Sequence, residues 1–200
     1  MKKIISLIAV LALALCALCS CKEDYTYVQM EFEGYGSIVL KIDNKTAPKT
    51  AENFVKLVEE GFYDGLLMNR AQAGFVIQGG APSATSKEPD TIVGEFSSNG
   101  YDNDIEHVKG VISMARTDDP DSAASTFFIC IGDARRSLDG KYAGFGEVVE
   151  GMDVVDDVAD ALIAAAALEN NYYAYYMGFV SNTDNCVVIK SAKVLSDYKE

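Results

Sequence analysis

The sequence predicts a mainly β domain, built as a sandwich or a closed barrel around two helices. Three observations carry this. Seven or eight short runs either alternate apolar with polar residues or are dense in Val, Ile, Phe and Tyr. Glycine, asparagine, aspartate and proline separate those runs, as turns require. Only two stretches have the apolar spacing of a helix. The chain has 200 residues, enough for one domain with a sizeable core, and no linker long enough to divide it.

The elements follow in order. "YTYVQMEFE" at 25–33 and "SIVLKID" at 37–43 alternate like strands, with "GYG" at 34–36 as the turn between them. Pro48 and Thr50 precede "AENFVKLVEEG", where Phe54, Leu57 and Val58 form an apolar stripe. Thr50 is the expected N-cap of this helix and Gly61 its stop. "LLMNRA" at 66–71, "FVIQ" at 75–78, "GVISMA" at 110–115, "STFFICI" at 125–131 and "YAGFGEVV" at 142–149 read as strands. A second helix runs over 151–170, with Val154, Val155, Val158, Leu162 and Ile163 available for one face. "CVVIKSAKVL" at 186–195 is the last strand.

The first residues stand apart from this domain. Lys2 and Lys3 precede an apolar run from Ile4 to Leu18. Fifteen apolar residues are short for a membrane span, which needs about twenty, but they suit a secretory signal. The run ends in Leu18-Cys19-Ser20-Cys21, which resembles the site where a bacterial signal peptidase cuts before a cysteine that then carries lipid. Cys21 is the expected attachment point; Leu18 makes Cys19 the poorer choice. The expected organisation is a signal peptide over 1–20, a lipidated cysteine and tether over 21–24, and a domain over 25–198. That places the protein as a membrane-anchored lipoprotein of a bacterial envelope, on its periplasmic side or at the cell surface. An ordinary secretory signal with incidental cysteines is the other reading. Cys130 and Cys186 lie in the body; an oxidising compartment permits a disulfide between them, and two separate thiols fit equally well.

Composition excludes some functions. With 17 basic and 30 acidic side chains the protein lacks the basic balance that nucleic-acid phosphates demand. The single histidine, His107, rules out a multi-histidine metal site.

Four ordered segments carry a family resemblance. "APKTAENFVKLVEEGFYDG" at 47–65 is similar to the first helix and following loop of the cyclophilin-type peptidyl-prolyl cis-trans isomerases. "NRAQAGFVIQGG" at 69–80 resembles the family's F-H-R-V-I-x-x-F-M-I-Q-G-G segment, and "GVISMARTDDPDSAASTFFI" at 110–129 its G-x-L-S-M-A-R-x-x-D-P-N-S-A-G-S-Q-F-F-I segment. "LDGKYAGFGEVVEGMDVVD" at 138–156 resembles L-D-G-x-x-x-x-F-G-x-V-x-x-G-M-D-V-V-D. The resemblance implies a closed eight-stranded antiparallel β-barrel capped by two helices. It also implies rotation of X-Pro peptide bonds, with proline-containing peptides or unfolded proteins as partners and no cofactor or metal.

By the same resemblance Arg70 is the catalytic cation and Gln78 holds its guanidinium. Phe75, Val76, Phe128, Leu138 and Tyr142 match positions that line a proline pocket. Ala115 and Arg116 match the rim that binds the substrate main chain, and Thr126 stands where a glutamine normally contacts it. His107 reads as structural. Taken singly, each of these residues has a plainer reading: an arginine facing solvent, or apolar residues of the core.

Several positions depart from the family. Asn69 replaces the histidine before the arginine, Thr126 the glutamine, and Ser137 the residue before "LDG", commonly an aromatic. These changes keep open a binding module of the same fold that holds proline segments without turning them over. Residues 161–182 form a longer, more aromatic connection than the family's, with Tyr172, Tyr173, Tyr175 and Tyr176. The two readings of this insert are a longer helix with half-buried tyrosines and a contact surface for a partner. The latter would suit a structural envelope lipoprotein. Nothing in the sequence fixes the oligomeric state.

Overall fold

The computed structural model describes residues 24–85, 87, 89–169 and 171–198. The expected signal peptide and Cys21 lie outside the described residues. The strands are β1 (Tyr25–Phe32), β2 (Gly36–Asp43), β3 (Leu67–Gln72), β4 (Val76–Gly79), β5 (Val111–Met114), β6 (Phe127–Cys130), β7 (Gly144–Glu150) and β8 (Val187–Leu195). All pairings are antiparallel, and the strands close into a barrel in the order β1-β2-β7-β5-β6-β4-β3-β8. The alternation seen in the sequence sets which side chains point inward. Val28, Met30 and Phe32 of β1 and Ile38, Leu40 and Ile42 of β2 are all buried in the core.

Two helices of more than ten residues pack on the barrel and share its core. Helix α1 (Pro48–Glu59) buries Thr50, Ala51, Phe54, Leu57 and Val58. The Phe54 ring meets those of Tyr63, Phe127 and Phe145 at centroid distances of 5.2, 5.8 and 5.2 Å. The Tyr63 hydroxyl, in turn, donates to the Ser125 carbonyl at 2.9 Å. Gly61 ends the helical region with φ at +67°, which a side chain would disfavour.

The start of α1 corrects one expectation. Its N-cap is Ala47, which offers no side-chain acceptor, and Pro48 takes a first-turn position. Thr50 is inside the helix. The acceptor comes from a distant loop: the buried Glu95 carboxylate receives Lys49 N (3.2 Å), Thr50 N (2.8 Å) and Thr50 Oγ1 (2.8 Å). An anion at this point satisfies otherwise orphaned N–H groups and complements the helix dipole.

A short helix α2 (Arg135–Leu138) follows β6, and the long helix α3 (Met152–Leu168) follows β7. Helix α3 buries Val155, Val158, Leu162, Ala165 and Ala166 in the same core. The insert then differs from a simple helix extension. The chain breaks at Glu169 and restarts as α4 (Tyr172–Met177), which the Asn171 side chain caps by accepting Ala174 N at 2.9 Å. Glu169 Oε1 accepts Ser181 N (2.6 Å) and Asn182 N (3.0 Å), which ties the end of α3 to the end of the insert. The four tyrosines are exposed rather than half-buried: 66, 67, 77 and 58% for Tyr172, Tyr173, Tyr175 and Tyr176. Cys130 and Cys186 are both free thiols. Among the described residues no helix is long and apolar enough to cross a membrane.

Candidate active site

Strands β3, β4, β6 and β5 are consecutive neighbours, and register places one residue of each in a row. Arg70 pairs with Gln78, Gln78 with Phe128, and Phe128 with Ser113. The next row, Ala71, Ile77, Ile129 and Ile112, points into the core. The first row therefore faces out of the barrel. Arg70 is there because of an irregularity. Met68 is fully buried, and a strict two-residue period would aim Arg70 inward as well. The register of β3 against β4 shifts between them, and such a bulge turns the following side chain to the other face.

The guanidinium of Arg70 is held on three sides. Its Nη1 donates to Gln78 Oε1 at 2.8 Å, Nη2 to Gln72 Oε1 at 3.2 Å, and Nε to the Met177 carbonyl at 2.8 Å. The group has five N–H donors. Among the described residues, one N–H on each terminal nitrogen remains for a ligand. Partial burial pulls the Arg70 pKa down, and the nearby Tyr142 acts against that shift.

A second apolar cluster, distinct from the core, lies beside this row. Val76, Phe128, Cys130, Ala134 and Leu138 are buried in it, with Phe75, Ala115 and Tyr142 packed against them. The Phe128 and Tyr142 rings meet in a T-shaped contact with centroids 5.7 Å apart. On the rim the Arg116 guanidinium stacks between Phe96 (5.0 Å) and Tyr142 (4.8 Å), and its Nε donates to the Lys141 carbonyl at 2.9 Å. Ala115 N donates to the Thr126 carbonyl at 2.9 Å, while the Thr126 side chain is partly exposed. Every site residue named from the barrel sequence thus falls in the Arg70 row, in the cluster, or on its rim.

His107 is the floor of the site. Its ring stacks on Phe128 at 6.0 Å, Nδ1 lies 2.9 Å from Asp139 Oδ1, and Nε2 lies 3.1 Å from Ser113 Oγ. The carboxylate partner fixes Nδ1 as the protonated nitrogen, so Nε2 accepts from the serine. The His107 backbone N–H also donates to Asp139 Oδ1 at 2.9 Å, which pins the turn that carries Leu138. Burial lowers the histidine pKa, against the pull of Asp139. Burial likewise pushes the Cys130 thiol up to about 12, so it is no nucleophile near neutral pH.

Sequence reasoning missed four members of this region. Gln72, Met177, Phe179 and Phe96 contact Arg70 or Arg116. Met177 and Phe179 lie more than a hundred residues from Arg70, so no local pattern signals them.

Residues 27–174 match the family model described as "Cyclophilin type peptidyl-prolyl cis-trans isomerase/CLD". The chain belongs to this family. As a cyclophilin it is an enzyme of the isomerase class. It is 36% identical over 164 residues to peptidyl-prolyl cis-trans isomerase A of Dickeya dadantii, covering 80% of each chain. It is 39% identical over 131 residues to peptidyl-prolyl cis-trans isomerase B of Escherichia coli, covering 62% of this chain and 79% of that one. A crystal structure of a cyclophilin-type isomerase from Cryptosporidium parvum superposes with a TM-score of 0.68 at 21% identity, covering 87% of this chain and 99% of that one. The barrel is the cyclophilin fold.

Two departures of this cyclophilin from the family pattern border the site. Ser137 is exposed on α2, one residue before the buried Leu138, so that edge of the cluster is open. Asn69 precedes Arg70 at the register shift and uses its carbonyl to accept Val180 N at 2.8 Å.

Proposed function

We propose that this cyclophilin turns X-Pro bonds at Arg70, with the Phe128 cluster as the seat of the proline ring. The barrier to overcome is about 18–20 kcal/mol, set by amide resonance. In the twisted transition state that resonance is lost, and the proline nitrogen exposes a lone pair. A fixed N–H donor satisfies this lone pair and gains nothing from the planar ground state, which is differential binding. A charge-assisted hydrogen bond contributes about 1.5–3 kcal/mol, roughly ten- to a hundredfold in rate. The single observation that carries the proposal is the Arg70–Gln78 bond of 2.8 Å in the strand row that also holds Phe128.

The other roles follow from position. Gln78 orients Arg70 and is a positioning residue. Phe75, Val76, Phe128, Leu138 and Tyr142 form the apolar pocket. Ala115, Arg116 and Thr126 border the path of the substrate backbone. A crystal structure of the Cryptosporidium parvum relative was determined in the presence of the dipeptide Ala-Pro, which supports proline-containing peptides as ligands here. The substrates in the cell would be unfolded envelope proteins, met by an enzyme anchored through lipid on Cys21.

The test is relaxation of a cis-enriched proline tetrapeptide. Wild type should accelerate it, and Arg70→Ala should remove most of that acceleration while still binding the peptide. If both proteins match the uncatalysed rate, the reading fails. Anchoring is tested separately: Cys21→Ala should abolish incorporation of radiolabelled fatty acid, and incorporation equal to wild type would contradict it.

A further inference from the structure

Residues 177–180, where the insert rejoins the barrel, lie alongside Arg70. They behave as an added edge of sheet. Ala71 N donates to the Gly178 carbonyl at 2.9 Å, Val180 N donates to the Asn69 carbonyl at 2.8 Å, and Arg70 and Phe179 form an isolated antiparallel bridge. Strand β3 pairs with β8 only at Leu67 and Met68. From Asn69 onward the insert takes over as its neighbour on that side. The fit is close: Gly178 has φ at +72°, and a Cβ there would run into the Ala71 carbonyl. Helix α4 delivers the Met177 carbonyl to Arg70 Nε at 2.8 Å. The half-buried ring of Phe179 lies 5.2 Å from the guanidinium carbon.

We infer that the insert positions Arg70, and that Phe179 is a positioning residue for the isomerase reaction through its ring. The inference rests on the reading of Arg70 as the catalytic cation. Four partners restrain the planar guanidinium from different sides. Gln78, Gln72 and Met177 accept in-plane hydrogen bonds and fix its rotation. The face of Phe179 attracts the cation and opposes its displacement. A long flexible side chain in the open would sample many rotamers, and the reacting nitrogen requires one. Preorganisation of this kind acts on the turnover step and leaves substrate affinity to the apolar pocket.

The experiment compares Phe179→Leu and Phe179→Tyr with wild type and Arg70→Ala, measuring kcat, KM and melting temperature. Leucine keeps apolar bulk and strand pairing but lacks the ring face. It should lower kcat by about three- to tenfold with KM unchanged, part of what the cation itself contributes. Tyrosine should recover at least about half of wild-type kcat, because its ring carries the same face. A merely structural role would lower the melting temperature and leave kcat per folded molecule alone. If Phe179→Leu turns over like wild type while Arg70→Ala is impaired, the inference is wrong and the catalytic reading stands. If Arg70→Ala is itself unimpaired, the catalytic reading has failed, and this inference with it.

Discussion

The inner and outer faces of the same four strands make the sharpest contrast in the molecule. Inward, Ala71, Ile77, Ile129 and Ile112 all belong to the buried apolar core. Outward, one register step away, stand Arg70, Gln78, Phe128 and Ser113. The inner row holds the barrel together and offers a ligand nothing. The outer row places a restrained cation beside an apolar cluster, a pairing that folding alone does not need. The difference teaches that a closed barrel can keep its packing and its chemistry on separate faces, so that each should fail separately when mutated.

The largest effect should come from the inner face. Ile129→Ala removes buried methyl groups and should cost about 2–5 kcal/mol of stability, read as a shift in the denaturant midpoint. Its turnover per folded molecule should stay near that of wild type. Next comes the outer face: Arg70→Ala should cost roughly ten- to a hundredfold in isomerase rate, with a midpoint shift smaller than that of Ile129→Ala. If either variant showed the other's phenotype, the two faces would not be separable.

Glu95 sharpens the contrast, because it is buried, charged and remote from Arg70 in role. Glu95→Ala would leave Lys49 N, Thr50 N and Thr50 Oγ1 without their acceptor. A loss of about 1–3 kcal/mol in stability is expected, without effect on KM.

The smallest effect concerns His107, which is buried beneath the outer row against Phe128 and Ser113. Burial holds its pKa below the ordinary value. As pH falls below about 6.5 the unfolded chain takes up a proton before the folded chain does. Stability from this group is therefore present near neutrality and above, and declines on acidification until the folded-state pKa is passed. Midpoints at about pH 7.5 and about pH 5.5 should differ more for wild type than for His107→Gln.

These expectations also mark how far the sequence could be read. Alternation in residues 25–43 gave both strands and their turn, because a half-buried strand leaves a period of two. The helix stripe of Phe54, Leu57 and Val58 was legible for the same reason. The cap on α1 was not, since its acceptor, Glu95, lies 45 positions from Thr50. At the site, the Arg70, Gln78, Phe128 and Leu138 constellation came from family resemblance; strand register aligns the first three, and packing of α2 brings Leu138 to the same cluster. The turn of Arg70 to the outer face depends on a bulge that no alternation pattern contains. The hold of the insert on Arg70 depends on a contact 107 residues away in the chain. The exposed tyrosines of α4 depart from the longer-helix reading, because the helix breaks at Glu169, where the carboxylate turns to accept backbone N–H groups.

The most direct measurement is exchange spectroscopy by NMR on a proline tetrapeptide bound to wild type and to Arg70→Ala. It reads the cis–trans exchange rate on the enzyme and the affinity in one sample. The account predicts that the variant binds the peptide with nearly wild-type affinity and exchanges it at least about tenfold more slowly. An exchange rate equal to wild type, or affinity lost together with rate, would contradict it.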